Sequence, residues 1–251
     1  MNINPKVDLT LEYNKGFRLN GLLFAVFLIG IIIGFEYVFR HYFVLWIPRI
    51  GELKVNDLIA LGLCYVLLAG TTGVFFRIKL DETFREIRRR TYDLLMTWKY
   101  IGWVVILGIS FWTLPLIDRA LWGNLHIPLW LSSYRNPVHL LPGSGPVLKI
   151  IFLISINGLL VPIAEEFLWR GLIQPRLVRN VGIIAGIGIT ALVFSLKHVI
   201  IDASMNRFLS VVVFGVVLGY LAHREDWHTS AALHLFINSI SSVTILLLGK
   251  Y

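Results

Sequence analysis

This chain has little charge and almost no cysteine. Aspartate, glutamate, lysine and arginine make up only 15% of its 251 residues, and Cys64 is the single cysteine. One thiol excludes an intramolecular disulfide and a zinc site built from several thiolates. The low charge, with 57% hydrophobic residues and a mean hydropathy of +0.74, also excludes an ordinary soluble domain. The composition is that of a polytopic membrane protein.

The sequence also lacks an internal repeat, a low-complexity tract and an extramembrane region long enough for a second domain. Several apolar runs approach the roughly 20 residues that cross a hydrocarbon core of about 30 Å. These candidate spans are residues 18–39, 57–76, 99–117, 147–169, 181–200, 206–222 and 229–249. The first run is longer than a signal-peptide core and is expected to remain as a helix. A further apolar stretch, residues 121–131, is short and interrupted by proline, so it is expected to be re-entrant or interfacial. Counting it as an extra crossing would reverse the orientation of the second half.

The predicted fold is therefore all-α. We expect one transmembrane domain, residues 1–251, in which a bundle of about seven to eight helices encloses an intramembrane polar cavity. A connection rich in proline, glycine and serine, residues 132–146, separates N-terminal helices (residues 1–144) from a second half (residues 145–249) that carries the suspected chemistry.

The formal net charge of +8 is explained by basic loops on the cytoplasmic side of a membrane protein, so no nucleic-acid partner is expected. The densest basic segment is residues 77–99, which contains Arg88, Arg89 and Arg90 in a row. This segment is either a helix lying at the lipid headgroups, in contact with anionic lipid, or an ordinary solvated loop. The sequence leaves both alternatives open.

Ionisable and amide side chains interrupt the apolar runs of the second half. A charge at the centre of a bilayer costs from roughly 2.5 to more than 10 kcal/mol, so such residues normally face a protein interior or a water-filled cavity and serve a function. The residues in question are Glu165, Glu166, Arg170, His198, His234 and Asn238. They predict a functional site within the membrane.

The first group of these residues follows Pro162, which should bend its helix and expose backbone carbonyls. Adjacent helical residues lie about 100° apart, so Glu165 and Glu166 cannot point at the same spot. Glu166 and Arg170 have the i,i+4 spacing, with the acid first, that favours an ion pair. Glu165 is then expected to be unpaired and available for chemistry.

The other two groups are also i,i+4 pairs. Phe194 and His198 place an aromatic ring one turn from an imidazole, and His234 and Asn238 place an imidazole beside a carboxamide. A carboxamide is a neutral hydrogen-bond donor suited to stabilising an oxyanion. The residues alone therefore predict a water-activating pair, Glu165 and His198, beside two oxyanion donors.

Glycines at short spacing predict close contacts between helices in the second half, because small residues let helix backbones approach in lipid. They are Gly182, Gly186 and Gly188 in one span and Gly215 and Gly219 in the next. A chain reversal near Asn180 would place Glu165 and His198 at similar depth.

These three motifs resemble those of the CAAX protease and bacteriocin-processing (Abi) family of intramembrane endopeptidases. The family patterns EExxxR, FxxxH and HxxxN stand here, in the same order, as Glu165, Glu166 and Arg170, then Phe194 and His198, then His234 and Asn238. The resemblance covers about residues 145–249, and the first half carries none of it.

Similarity to the type II CAAX prenyl endopeptidases implies hydrolysis of a peptide bond. Glu165 and His198 would activate a water, and His234 and Asn238 would hold the tetrahedral oxyanion. Residues of structural support would be Glu166, Arg170 and Phe194. The implied substrate is a membrane-associated or lipidated peptide, a protein tail or a bacteriocin-like precursor, and the implied location is the bacterial plasma (inner) membrane. Membrane lipids are the other expected partner, and the sequence does not define an oligomeric state.

The family has also been described as metalloproteases, and Glu165, His198 and His234 would then form an open three-ligand zinc site. Catalysis by glutamate without a cofactor is favoured, because the sequence contains neither HExxH nor another compact zinc motif.

Two alternatives from other classes remain at this point. One is an ion- or proton-coupled transporter in which the same ionisable residues relay protons, although no second EExxxR-like segment marks a paired repeat in the first half. The other is a catalytically silent immunity or scaffold protein of the same fold, against which the complete set of motif side chains argues.

The sequence does not decide which membrane face the site opens to. Placing residues 77–99 in the cytoplasm and counting seven spans puts the site toward the outer leaflet. The family resemblance instead implies access from the cytosol.

Overall fold

A computed structural model of the chain describes residues 21–42, 56–123, 153–202 and 204–248. These ranges are helical and contain no strand, so the predicted all-α fold is confirmed. The helices are α1 (Gly21–His41), α2 (Asn56–Phe75), α3 (Leu80–Met96), α4 (Ile101–Trp122), the composite helix α5 (residues 153–181), α6 (Ile183–Asp202), α7 (Phe208–Arg224) and α8 (Trp227–Leu248). A 3-10 turn, Trp98–Tyr100, joins α3 to α4.

Each of the seven predicted spans overlaps one of these helices. Among the described residues, α1, α4 and α6 are apolar and long enough to cross a membrane by those criteria alone, and the bent pair α2–α3 would make a fourth. Helix α7 is apolar but shorter. Residues 124–131 of the short apolar stretch and the 132–146 connection lie outside the described residues.

The basic segment of the first half forms an amphipathic helix, whereas its location at the lipid headgroups and its contact with anionic lipid stay predictions. In α3, Thr83, Ile87 and Leu94 are buried at helical spacing and the helix packs against α8, whereas Arg88 and Arg89 are exposed. The axis of α3 is bent by 115° from that of α2. The helix therefore turns away from the direction of α2.

Close glycine contacts hold α5, α6 and α7 together. A Cβ atom on Gly186 would lie 2.6 Å from the backbone nitrogen of Val178 in α5, and one on Gly215 would lie 2.9 Å from Cα of Ala191 in α6. The predicted packing role is confirmed for these two glycines. Gly188 instead has open space around it, and Gly182 forms the turn between α5 and α6 with a φ of 87°.

Polar contacts attach the first half to the ends of α7 and α8. The carboxylate of Asp118 in α4 accepts a hydrogen bond of 2.9 Å from the backbone N–H of Leu209, near the start of α7. Tyr100 donates to Glu225 at 2.7 Å, and Arg90 of α3 is paired with Asp226. These contacts fix the first half against the helices that carry the predicted site.

Candidate active site

Helix α5 presents the acidic couplet between two wide turns. An α-helical piece, Val161–Glu166, lies between the π-helical pieces Ile154–Leu160 and Phe167–Ile173, and a second α-helical piece, Gln174–Val181, completes the element. Pro162 near the start of the first α-helical piece has no N–H to donate. The distortion expected from this proline therefore takes the form of π-helical turns, which are frequent at functional sites.

Glu165 lies in a buried set of contacts from helices α2 and α6. Its Oε1 atom accepts hydrogen bonds from Lys197 Nζ at 2.5 Å and from Tyr65 Oη at 2.7 Å. Its Oε2 atom is 3.8 Å from Nε2 of His234 in α8, which is longer than a hydrogen bond. One oxygen of this carboxylate is thus held by two donors, and the other faces an imidazole.

Glu166 faces a different set of partners. Its Oε1 atom is 2.9 Å from both Arg170 Nη1 and His234 Nδ1, and its Oε2 atom accepts a hydrogen bond of 2.8 Å from Ser230. The side chains of Glu166 and Arg170 are fully buried. The predicted ion pair between them is therefore present. The Arg170 guanidinium also lies 4.4 Å from the centre of the Phe194 ring.

The two imidazoles are oriented by these surroundings. His234 must donate its Nδ1–H to Glu166, because a carboxylate only accepts hydrogen bonds. This contact turns Nε2 toward Glu165. His198 Nδ1 is 2.9 Å from the backbone carbonyl of Phe194, which fixes the proton on Nδ1 and leaves Nε2 with a lone pair when the ring is neutral.

Asn238 lies one turn after His234 and contacts the first π-helical piece of α5. Its Nδ2 atom donates to the backbone carbonyl of Asn157 at 3.1 Å, and Asn157 in turn donates to Ser242 at 3.2 Å. A carboxamide nitrogen carries two hydrogens, so one donor of Asn238 remains for another partner.

The expectation that Glu165 is unpaired is wrong, because Lys197 forms a buried ion pair with it. This lysine is absent from the predicted site although it precedes His198 in an apolar span. Glu36 in the first span, which lies 3.1 Å from Lys197, is absent from it too. Both residues carry the signal that identified the other site residues, a charge within an apolar run. Tyr65 carries no such signal.

The side chains as arranged do not fit a zinc site. Among the described residues, no three His, Cys, Asp or Glu side chains lie together in a group that could hold a metal ion. The expected ligand Glu165 already has an ammonium group 2.5 Å from one oxygen, which would repel a metal cation bound there.

Residues 147–240 match the family model described as type II CAAX prenyl endopeptidase Rce1-like. No curated protein and no solved structure matches the chain. The matched segment contains all three motifs and Lys197, but neither Glu36 nor Tyr65.

Proposed function

We propose that this chain, of which residues 147–240 match the type II CAAX prenyl endopeptidase Rce1-like family model, is a member of that family and hydrolyses a peptide bond with a water activated by Glu165 and His198. The family implies CAAX-type intramembrane endopeptidase activity. The apolar helices around the couplet are those of an integral membrane protein.

The observation that carries the mechanism is the unequal use of the two Glu165 oxygens. Oε1 is occupied by an ammonium and a phenol, whereas Oε2 lies at the His234 side of the site, 3.8 Å from Nε2. A water hydrogen-bonded to Oε2 would give one proton to Glu165 or to the free Nε2 of His198. The resulting hydroxide adds to the carbonyl carbon of the scissile bond.

The same arrangement provides donors for the oxyanion that then forms. Asn238 has a second N–H, and His234 becomes a donor at Nε2 when its ring carries both protons. The Glu166 carboxylate at Nδ1 stabilises that charged ring. Such donors are typically worth 10²- to 10³-fold in rate. When the tetrahedral intermediate collapses, the C–N bond breaks and the leaving amine takes the proton that came from water.

The substrate we propose is a membrane-associated or lipidated peptide, a protein tail or a bacteriocin-like precursor, cleaved in a bacterial plasma membrane. The location of the couplet supports this class, because Glu165 and Glu166 lie in a helix whose neighbours are long and apolar. A peptide held close to the lipid by an anchor or an apolar segment would reach such a site more readily than a freely soluble one.

The test is cleavage of a library of lipid-anchored reporter peptides by the purified full-length protein. Glu165→Gln should lower the rate of cleavage by at least about 10²-fold, because it removes the base. A matched control is Glu82→Gln, since Glu82 is also paired with a lysine, Lys79 at 2.9 Å, but lies exposed on α3. Full activity of Glu165→Gln would reject the mechanism.

Parallel reactions with a chelator and with added zinc test whether cleavage depends on a metal. We expect cleavage to be insensitive to both additions. Loss of activity in chelator and its return with zinc would assign Glu165 to a metal instead. Cleavage of no reporter would reject these substrates, and an ion-flux assay in vesicles would then test the transporter alternative.

A further inference from the structure

A second buried carboxylate shares the partners of Glu165. The Oε2 atom of Glu36 in α1 lies 2.6 Å from Tyr65 Oη and 3.1 Å from Lys197 Nζ. Lys197 also donates to the Tyr65 oxygen at 3.0 Å. Each of these four residues is at most 3% exposed. The phenol and the ammonium therefore lie between two carboxylates.

The hydrogens available in this cluster are fewer than its contacts. Four side chains make five close contacts, and a lysine ammonium supplies three hydrogens while a tyrosine supplies one. If both carboxylates were ionised, Tyr65 could donate to only one of them. The other would face the phenol oxygen at 2.6 or 2.7 Å with no hydrogen between the two oxygens. A proton on one carboxyl group supplies the missing hydrogen.

The distances indicate which carboxyl group carries that proton. Lys197 is nearer to Glu165, at 2.5 Å, than to Glu36, at 3.1 Å. Glu165 also faces His234. Arg40 lies further from Glu36, at 3.8 Å, and is also 3.7 Å from Asp202, which is paired with Arg207. The shortest contact with a cation belongs to Glu165, so the proton is assigned to Glu36.

We propose that Lys197, Tyr65 and Glu36 are positioning residues for Glu165. Lys197 keeps Glu165 ionised and, with Tyr65, holds its Oε1 atom so that Oε2 is presented to water. Neutral Glu36 completes the hydrogen bonds of Tyr65 and Lys197 without competing for the positive charge. This inference rests on the proposed role of Glu165 as the base. It makes the first half of the chain, outside the matched segment, part of the catalytic apparatus.

The kinetic test uses the full-length protein and a reporter peptide that the wild type cleaves. Lys197→Met should lower kcat by about 10²-fold or more with little change in KM, because Glu165 then takes up a proton and no longer acts as a base. Lys197→Arg keeps the charge and should restore part of the lost kcat. A kcat of Lys197→Met within about threefold of the wild type would overturn the role of the lysine.

Variants of Tyr65 and Glu36 examine the first half. Tyr65→Phe keeps the ring but removes one donor to Glu165, so kcat should fall about tenfold, which corresponds to roughly 1.4 kcal/mol. Glu36→Leu removes every polar contact of this side chain and should lower kcat at least tenfold. Glu36→Gln keeps a neutral donor toward Tyr65 and should restore part of that loss. A folded Glu36→Gln protein as inactive as Glu36→Leu would show that Glu36 must be ionised, contrary to the proposal.

Infrared spectroscopy tests whether Glu36 is protonated, and this measurement does not require the protein to cleave a peptide. The wild type at neutral pH should show a carbonyl band of a protonated carboxylic acid that is missing from the spectrum of Glu36→Gln. If the two spectra agree in that region, Glu36 is ionised and the assignment of the proton is wrong. Failure of the wild type to cleave any reporter would reject the proposed function, and the infrared result would still decide the state of this cluster.

Discussion

Glu165 and Glu166 are neighbours in the chain but have opposite surroundings. Glu166 is bound by Arg170, Ser230 and His234, all of which lie within the segment that matches the family model. Glu165 is bound by Tyr65 of α2, outside that segment, and by Lys197, which also contacts α1. The carboxylate predicted to have a structural role is thus supported locally. The one proposed to act as base depends on the first half of the chain.

The difference follows from helix geometry. Successive residues of a helix point about 100° apart, so one carboxylate faces α8 while its neighbour faces α2 and α6. Glu165 and Glu166 therefore make two separate sets of contacts within one turn of α5. Changes on the Glu166 side should affect stability first, and changes on the Glu165 side should affect activity first.

The largest effect on stability should come from removing the charged partner of Glu166. Arg170→Met leaves the Glu166 charge without its buried partner and should lower the free energy of unfolding by about 3–5 kcal/mol. Thermal unfolding of the purified protein in detergent measures this loss. The double variant Glu166→Gln with Arg170→Met removes both charges and should recover part of it. A melting temperature of Arg170→Met equal to that of the wild type would contradict the structural role of the pair.

A smaller effect should come from separating the helices that bring the two sides together. Gly186→Ala would put a methyl group 2.6 Å from the backbone of α5, forcing α6 away at a cost of about 1–3 kcal/mol. Because α6 carries Lys197, kcat should fall as well.

Gly188→Ala is the matched control in the same helix. Its added methyl group meets open space, so the change should be neutral or stabilise the helix by up to about 1 kcal/mol. Equal melting temperatures for the two alanine variants would show that the approach of α5 and α6 at Gly186 is unimportant.

The smallest effect should come from Asp226, where the first half is attached to α8. Burial raises the pKa of this carboxyl group, but the His228 imidazole 3.6 Å away, a hydrogen bond of 2.8 Å from the Thr229 N–H and the charge of Arg90 outweigh that effect and lower the pKa to about 2. A lowered pKa stabilises the folded state at pH values above about 4, and this stabilisation is lost as the pH falls toward 2. At about 1.4 kcal/mol per pKa unit, it amounts to roughly 2 kcal/mol.

Asp226→Asn should therefore lower stability at neutral pH by about 1–2 kcal/mol and flatten its dependence on pH between about 4 and 2. Unfolding measured across this range provides the comparison. Asp81→Asn is the control, because Asp81 is 76% exposed and pairs with Arg85 on the surface of α3. Identical pH profiles for Asp226→Asn and the wild type would show that this attachment does not stabilise the fold.

The positions of the helices could be predicted from the sequence, because the length of an apolar run is a local property that the thickness of a bilayer constrains. The ion pair of Glu166 with Arg170 was predictable for a related reason: residues four apart on a helix are neighbours wherever that helix lies. The three motifs, which also consist of local spacings, indicated the family that the match of residues 147–240 supports.

Only the tertiary structure decided what surrounds Glu165. Tyr65 is 100 residues away from it in the chain, and Lys197 is 132 residues away from Tyr65, so no periodicity connects them. Their contacts depend on how closely α2, α5 and α6 approach and on how each helix is rotated, and packing sets both quantities. The sequence by itself determined which polar residues lie in apolar helices. The packing of those helices decided that Glu165 is paired and that residues of the first half hold it.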